Sequence, residues 1–359
     1  MHEHRWSDTF LEQMRRQGDP LADRAIQGLL RRTSGSPAAL MGQLALLARG
    51  EPVPSSPELE EYLAQGTRLP PWTNWEQVRL GGELFHRYAP QVVLSLLCAS
   101  LPLCYGAARG VRVLHHTGRL RTQPLHRVEE TSRVLLAALS PGGLEPGGAG
   151  LRALLGVRLL HAGVRLVLQR GGWPPEWGLP LNQEELSATL TTFSVVVAES
   201  LTKLGCRLTA AQSEAWLHTW NVVGALLGVD ERLLPEGPTQ ARVLAEAMAR
   251  RHLRASPEGQ ALLGALLGVL GQALPGGGLQ GLWPSLMHHL LGRELADMLA
   301  VPASDWTRLL LGPMRVAGWL QAGAANHVPA AAHLLARLGR ALFLRLLAPR
   351  NRNDPRHIE

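Results

Sequence analysis

The chain has a single lysine, Lys203, and charged residues of both signs make up only 18% of its 359 residues. That is too little charge for a disordered polypeptide and describes a globular, rather apolar protein. The formal net charge is +7, yet the arginines are scattered; Arg15-Arg16, Arg31-Arg32 and the tail residues Arg350, Arg352 and Arg356 are the densest groups. No basic face interleaved with aromatics emerges, so no nucleic-acid partner is expected. Cys98, Cys104 and Cys206 form no C-x-x-C pair and leave an odd number. Neither a disulfide framework nor a cysteine zinc site is implied, and a reducing cytoplasm is the default compartment. The amino terminus MHEHRWSDTF lacks the basic-then-apolar pattern of a secretion signal.

Long hydrophobic runs are also missing, with one borderline case. Ala89 to Ala108 carries no charge but contains Pro90, Gln91, Ser95, Ser100 and Pro102. It reads as a buried helix ending at Pro102 rather than a span, which needs about 20 predominantly apolar residues. No obligatory membrane span is expected; peripheral membrane contact stays open. Runs of alternating β-branched residues are few, whereas Leu and Ala recur at three- and four-residue spacing, which predicts an all-α protein. The pattern places helices near 8–16, 21–32, 37–48, 57–65, 74–100, 125–139, 149–170, 183–203, 209–227, 238–253, 257–273, 282–299, 304–321 and 328–347. Asn182 followed by Glu185 is a helix-start signature, and Thr209 and Ser213 allow similar starts. No linker forces a boundary, so one helical domain over 1–359 is expected: a peripheral layer over 1–70, a core over 71–349 and a basic tail over 350–359.

The familiar signatures of soluble enzymes are absent as well: there is no GxSxG, Walker loop, HExxH, EF-hand or paired Glu-x-x-His. Gly148-x-Gly150-x-x-Ala153 nominally fits a dinucleotide fingerprint, but no strand precedes it, so it reads as loop and helix start. Glu214 and His218 share a helix face and read as a local contact. The adjacent pairs His115-His116 and His288-His289 point about 100° apart on a helix, a poor geometry for one metal.

What is present is a stripe on an otherwise apolar helix. Arg158, His161 and Arg165 stand at i, i+3 and i+7, with leucines and valines covering the other faces. Buried charges need partners, and a buried imidazole needs a partner or a metal. A histidine flanked by arginines suits a haem, with the ring nitrogen on iron and the guanidiniums on propionates. The plainer reading is a hydrogen-bonded core histidine. A second constellation, Arg127-Val128-Glu129-Glu130-Thr131, gathers Arg127, Glu130 and Thr131 on one helical face. Its plainer reading is an intrahelical Arg-Glu pair worth a few tenths of a kcal/mol.

Together with Gly18 to Asp23, Pro70-Pro71-Trp72, Thr117 to Leu120, Trp177 to Gln183, Trp216 to His218, Gly224 to Val229 and Leu290 to Pro302, these stretches are similar in order and spacing to one family. The chain resembles, over nearly its whole length, the haem-dependent oxygenases that include the bacterial latex-clearing protein (rubber oxygenase) and the fungal endoplasmic-reticulum oxygenase of mycophenolic acid biosynthesis. The resemblance implies a globin-like helical core with additional surrounding helices, b-type haem, and dioxygen as co-substrate. Position by position, it makes His161 the axial iron ligand, with Arg158 and Arg165 the arginines of the same helix, and Arg127 and Thr131 the residues lining the other side. The latex-clearing branch carries a lysine just before that threonine; here the position is Glu130. That departure removes a nitrogen ligand and offers an acid or base in its place. The expected function is dioxygen-dependent cleavage of a carbon-carbon double bond in an isoprenoid or other unsaturated, lipid-like substrate, with Thr131, Arg127 and Glu130 as catalytic residues. The rival class is a non-catalytic haem or lipid carrier, since fold alone does not fix activity.

Overall fold

The structure is a computed structural model that describes residues 5–48, 51, 53–113, 124–273 and 281–304. The described residues are all-α, as the periodicity predicts: no strand occurs among them, and Ala107 and Leu253 form one isolated antiparallel bridge. The helices are α1 (Asp8–Met14), α2 (Pro20–Arg32), α3 (Pro37–Ala48), α4 (Pro57–Gly66), α5 (Trp75–Arg87), α6 (Ala89–Gly106) and α7 (Pro124–Leu139). They continue as α8 (Ala149–Arg170), α9 (Gln183–Lys203), α10 (Ala210–Leu226), α11 (Pro238–His252), α12 (Pro257–Ala273), α13 (Leu282–Leu291) and α14 (Arg293–Met298). The helices expected at 304–321 and 328–347 and the basic tail lie outside the described residues, as does His115-His116.

Local chemistry sets most of these starts. Asp19, Ser56, Asn74 and Asn182 each accept a hydrogen bond from a first-turn amide, and Pro20 and Pro57 occupy the first helical position, where no donor is missed. Thr209 forms a full capping box with Gln212. Two expected helices are divided. The stretch expected as one helix over 74–100 breaks at Tyr88 and then runs through Pro102 to Gly106. Its segment Leu96–Ser100 is π-helical, with the Leu101 amide donating to the Leu96 carbonyl. This wider turn relieves the clash a proline ring makes with the carbonyl four residues back, so Pro102 does not end the helix. The stretch expected over 282–299 divides at Gly292, whose φ of +84° suits glycine.

By length and composition α6 is apolar enough to cross a membrane, but 61% of it is buried inside the protein. It joins a smaller apolar cluster with α12, α13 and α14, in which Leu263, Leu266 and Met287 are almost fully buried. The larger cluster includes residues of the amino-terminal layer. Leu11, Met14, Ile26, Leu29, Leu40 and Tyr62 are shut off from solvent in contact with the core formed by α5, α8, α9 and α10. Helix α8 is the central element: it packs on α7 on one side and on α2 and α3 on the other. α7 and α8 form a hairpin whose closed end is tight enough to require Gly150, since a Cβ there would sit 2.3 Å from the Ala138 Cα.

Candidate functional site

Helix α8 carries the expected stripe. Its 22 residues include no proline, and Gly148 occupies the cap position, as the loop-and-start reading of this segment anticipates. His161 is half-buried, with Nδ1 closed off from solvent. On either side of it the two arginines point into the amino-terminal layer. Arg158 grips Asp19 with two parallel bonds, Nε to Oδ2 at 2.5 Å and Nη2 to Oδ1 at 2.9 Å. Its guanidinium also lies 5.7 Å from the centre of the Tyr62 ring, and the Tyr62 hydroxyl donates to the Leu155 carbonyl at 2.7 Å. Burial pulls the Arg158 pKa down, but the hydrogen bonds and charge of Asp19 more than offset this and hold it above the ordinary value. Arg165 is 2% exposed; its Nε lies 3.0 Å from Asp23 Oδ1, and its Nη1 donates to the Leu181 carbonyl at 2.5 Å.

The sequence expects both guanidiniums to face haem propionates. In the structure each is already neutralised by a protein carboxylate, so their first role is to join α8 to α2.

The second constellation lies on α7. Glu130 and Thr131 are half-buried there, and Glu129 lies 3.8 Å from Arg133 one turn along. Arg127 is in the helix, and its side chain lies outside the described residues. From the tight contact of Gly150 with Ala138, His161 is eleven residues along α8 and Arg127 eleven residues back along α7. Equal rise per residue therefore puts the two stretches at the same height on the hairpin. Among the described residues, a cavity of about 270 Å³ lies beside the hairpin turn, lined by Leu136, Ser140 and Ala149, and another of about 230 Å³ lies between α2 and α8, lined by Asp23, Ala162 and Leu166. Both fall just below the roughly 300–1,000 Å³ usual for ligand and cofactor pockets.

The donor set distinguishes a haem from a bare ion. Among the described residues no group of three His, Cys, Asp or Glu is placed to hold a metal ion. A porphyrin supplies four nitrogens itself and asks the protein for one axial ligand, so a single imidazole on a fixed helix fits it where it does not fit a bare ion. Two further imidazoles have partners of their own: His218 accepts from the Asn74 amide at 2.9 Å, and His252 lies 3.1 Å from Glu184. His218 thereby anchors the start of α5 from 144 residues away, a contact that the local reading of the Glu214/His218 pair does not include.

Sequence reasoning missed a buried ionic cluster where the first turn of α9 meets the last turn of α11. Glu184 is fully buried; its Oε1 lies 2.6 Å from Arg251 Nε and 3.1 Å from His252 Nε2. Arg251 reaches on to Asp8 at 2.9 Å and Glu12 at 3.1 Å, and Arg15 Nη1 stands 3.9 Å from both Glu184 and Glu185. Carboxylates at a helix start and cations at a helix end both suit the helix dipoles, which is the signal that marks such a cluster. Glu185 also accepts from the Leu181 amide at 3.1 Å. This links the cluster to Arg165, because the Leu181 carbonyl is the one Arg165 holds.

The helical fold and this hairpin define a class, and comparison with known proteins supplies it. Residues 87–323 match the family described as ER-bound oxygenase mpaB/B'/Rubber oxygenase, catalytic domain, and the chain belongs to that family of oxidoreductases. It is similar to the rubber oxygenase of Streptomyces sp. (strain K30), with 24% identity over 248 residues, 68% of this chain and 60% of that protein's length. Among solved structures it is similar to latex clearing protein LCP in the closed state, with a TM-score of 0.73 and 22% identity over 92% of this chain and 91% of that one. The latter likeness is one of fold.

Proposed function

We propose that this chain is a b-type haem-dependent oxygenase that uses dioxygen to cleave a carbon-carbon double bond in an isoprenoid or other unsaturated, lipid-like substrate. The observation that carries this reading is His161: a half-buried imidazole on a helix pinned on both sides of it, in a chain of an oxygenase family. Haem held by that ring would supply dioxygen binding and the redox chemistry. The protein's own groups do the rest. Thr131 would hydrogen-bond dioxygen, Arg127 would orient it or a neighbouring acid, and the Glu130 carboxylate would take an allylic proton from the substrate and return it before the two carbonyl products leave, because the cleavage as a whole neither gains nor loses hydrogen. Glu130 in place of a lysine also means that no amine from this position caps the iron. The Leu-rich helices suit an apolar substrate, and three free thiols agree with a cytoplasmic setting.

The test is incubation of the haem-loaded, reduced full chain with squalene or short polyisoprene under labelled dioxygen. Paired aldehyde and ketone products carrying the label are expected; an intact haem spectrum without products makes the protein a carrier. Glu130→Gln keeps the haem content and lowers turnover about 100-fold, the lower range of a general base. Undiminished turnover removes Glu130 from the chemistry.

A further inference from the structure

Arg158 and Arg165 lie within residues 87–323, the span that matches the oxygenase family, while the carboxylates that neutralise them, Asp19 and Asp23, lie outside it. Neutralising Asp19 and Asp23 with the layer still in place would leave the two guanidiniums of the central helix buried without a carboxylate, a state that is strongly unfavourable. The geometry does more than balance charge. The two pairs sit three residues before and four residues after His161 on one stripe of α8, about one turn to either side. The Asp19–Arg158 pair is a two-bond fork, an arrangement that fixes direction as well as distance. A helix held by this fork on one side of His161, and on the other by Arg165 bonded to Asp23 and the Leu181 carbonyl, resists rotation about its axis and slippage by a turn.

The surroundings are built to the same end. Gly228 has a φ of +81°, and a Cβ there would lie 2.3 Å from Asp19 Oδ2 and 2.5 Å from Arg158 Nε, so only glycine lets the chain pass over the fork. Asp19 caps α2 with the same Oδ1 that receives Arg158, and Asp23 Oδ2 accepts from the Asp19 amide at 3.1 Å. Leu181 adopts a left-handed φ of +52°, rare for a residue with a Cβ. Its amide is held by Glu185 and its carbonyl by Arg165. Such strain persists where surrounding bonds over-determine it.

We propose that Asp19 and Asp23 are positioning residues of the cofactor site: through Arg158 and Arg165 they hold α8 in the register that aims His161, so the amino-terminal layer is part of that site. The inference rests on the haem reading for what His161 is aimed at, but the clamp itself is readable without haem.

The test uses the full chain with Asp19→Asn, Asp23→Asn, the reversed pair Asp19→Arg with Arg158→Asp, and Leu263→Ala as a control of core destabilisation away from α8. In haem-free protein, amide exchange along 155–168 should be at least tenfold faster in Asp19→Asn and unchanged there in Leu263→Ala. Equal exchange in the two overturns the clamp. After loading with haemin, haem loss to a scavenger should be at least tenfold faster in Asp19→Asn, with an altered ferric electron paramagnetic resonance spectrum, and should return toward the parent in the reversed pair. Should Asp19→Asn not fold, Asp23→Asn carries the test, because its carboxylate is 32% exposed and its loss leaves the Leu181 contact to Arg165 in place. Parent-like haem loss and spectrum in a folded variant overturn the positioning role alone. A parent chain that takes up no haemin overturns the haem reading and with it the aim of the clamp at iron.

Discussion

His161→Ala is expected to abolish the Soret band of the haemin-loaded chain while leaving its far-ultraviolet circular dichroism at the parent level. The asymmetry follows from where the ring sits. Alanine is the most favourable helix residue, and the ion pairs on either side keep α8 in place, so the helix is expected to survive the loss of this half-buried side chain. On the haem reading the iron, by contrast, would lose the ligand proposed for it. Haemin affinity should fall by at least 100-fold, and millimolar imidazole should restore part of the band by filling the space the ring left. A His161→Ala chain that holds a full complement of haem would remove this residue as the ligand and, with it, the proposed mechanism.

The largest effect on stability is expected from Glu184→Leu, about 3–5 kcal/mol, the range for breaking a buried ion pair from one side. Leucine conserves the bulk but leaves Arg251, His252 and Arg15 without the carboxylate they share. The pH dependence separates this from simple repacking. Burial pushes the Glu184 carboxyl up, but the hydrogen bonds and charges of His252 and Arg251 outweigh it and hold the group below its ordinary value of 4.5. Its contribution is therefore complete above pH 4.5 and fades as the pH falls through the folded value. Glu185 runs the other way: burial raises it, so its contribution is present below pH 4.5 and is lost as the pH rises through its own folded value. In urea titrations at pH 7.5 the midpoint of Glu184→Leu should drop at constant slope, and the parent's loss of stability below pH 4.5 should be reduced in the variant. A loss under about 1 kcal/mol at pH 7.5 would mean that the cluster is no better than leucine packing, as some buried pairs are.

Much of the scaffold was legible because it is written locally. Helix α8 occupies the predicted residues 149–170, and Asn182 caps α9 through the Glu185 amide as its spacing suggests. Pro102 misled because the rule that proline ends a helix assumes an α-helical turn before it, and here that turn is π. The candidate site was legible to a lesser degree. One stripe with Arg158, His161 and Arg165 announced that something must neutralise it, yet the partners lie 139 and 142 residues away, where no periodicity reaches.

By itself the sequence determined the helical class, the order and approximate ends of the helices, and the presence of an imidazole between two cations on a central apolar helix. These follow from side-chain period, capping chemistry and the cost of burying charge, each of which acts within a few turns of chain. Only the tertiary structure decided that Asp19 and Asp23 take the two arginines, that Glu184 joins Arg251 and His252, and that the amino-terminal layer shares the main core. A buried charge fixes that a partner must exist; which carboxylate arrives is settled by the packing of whole helices against one another.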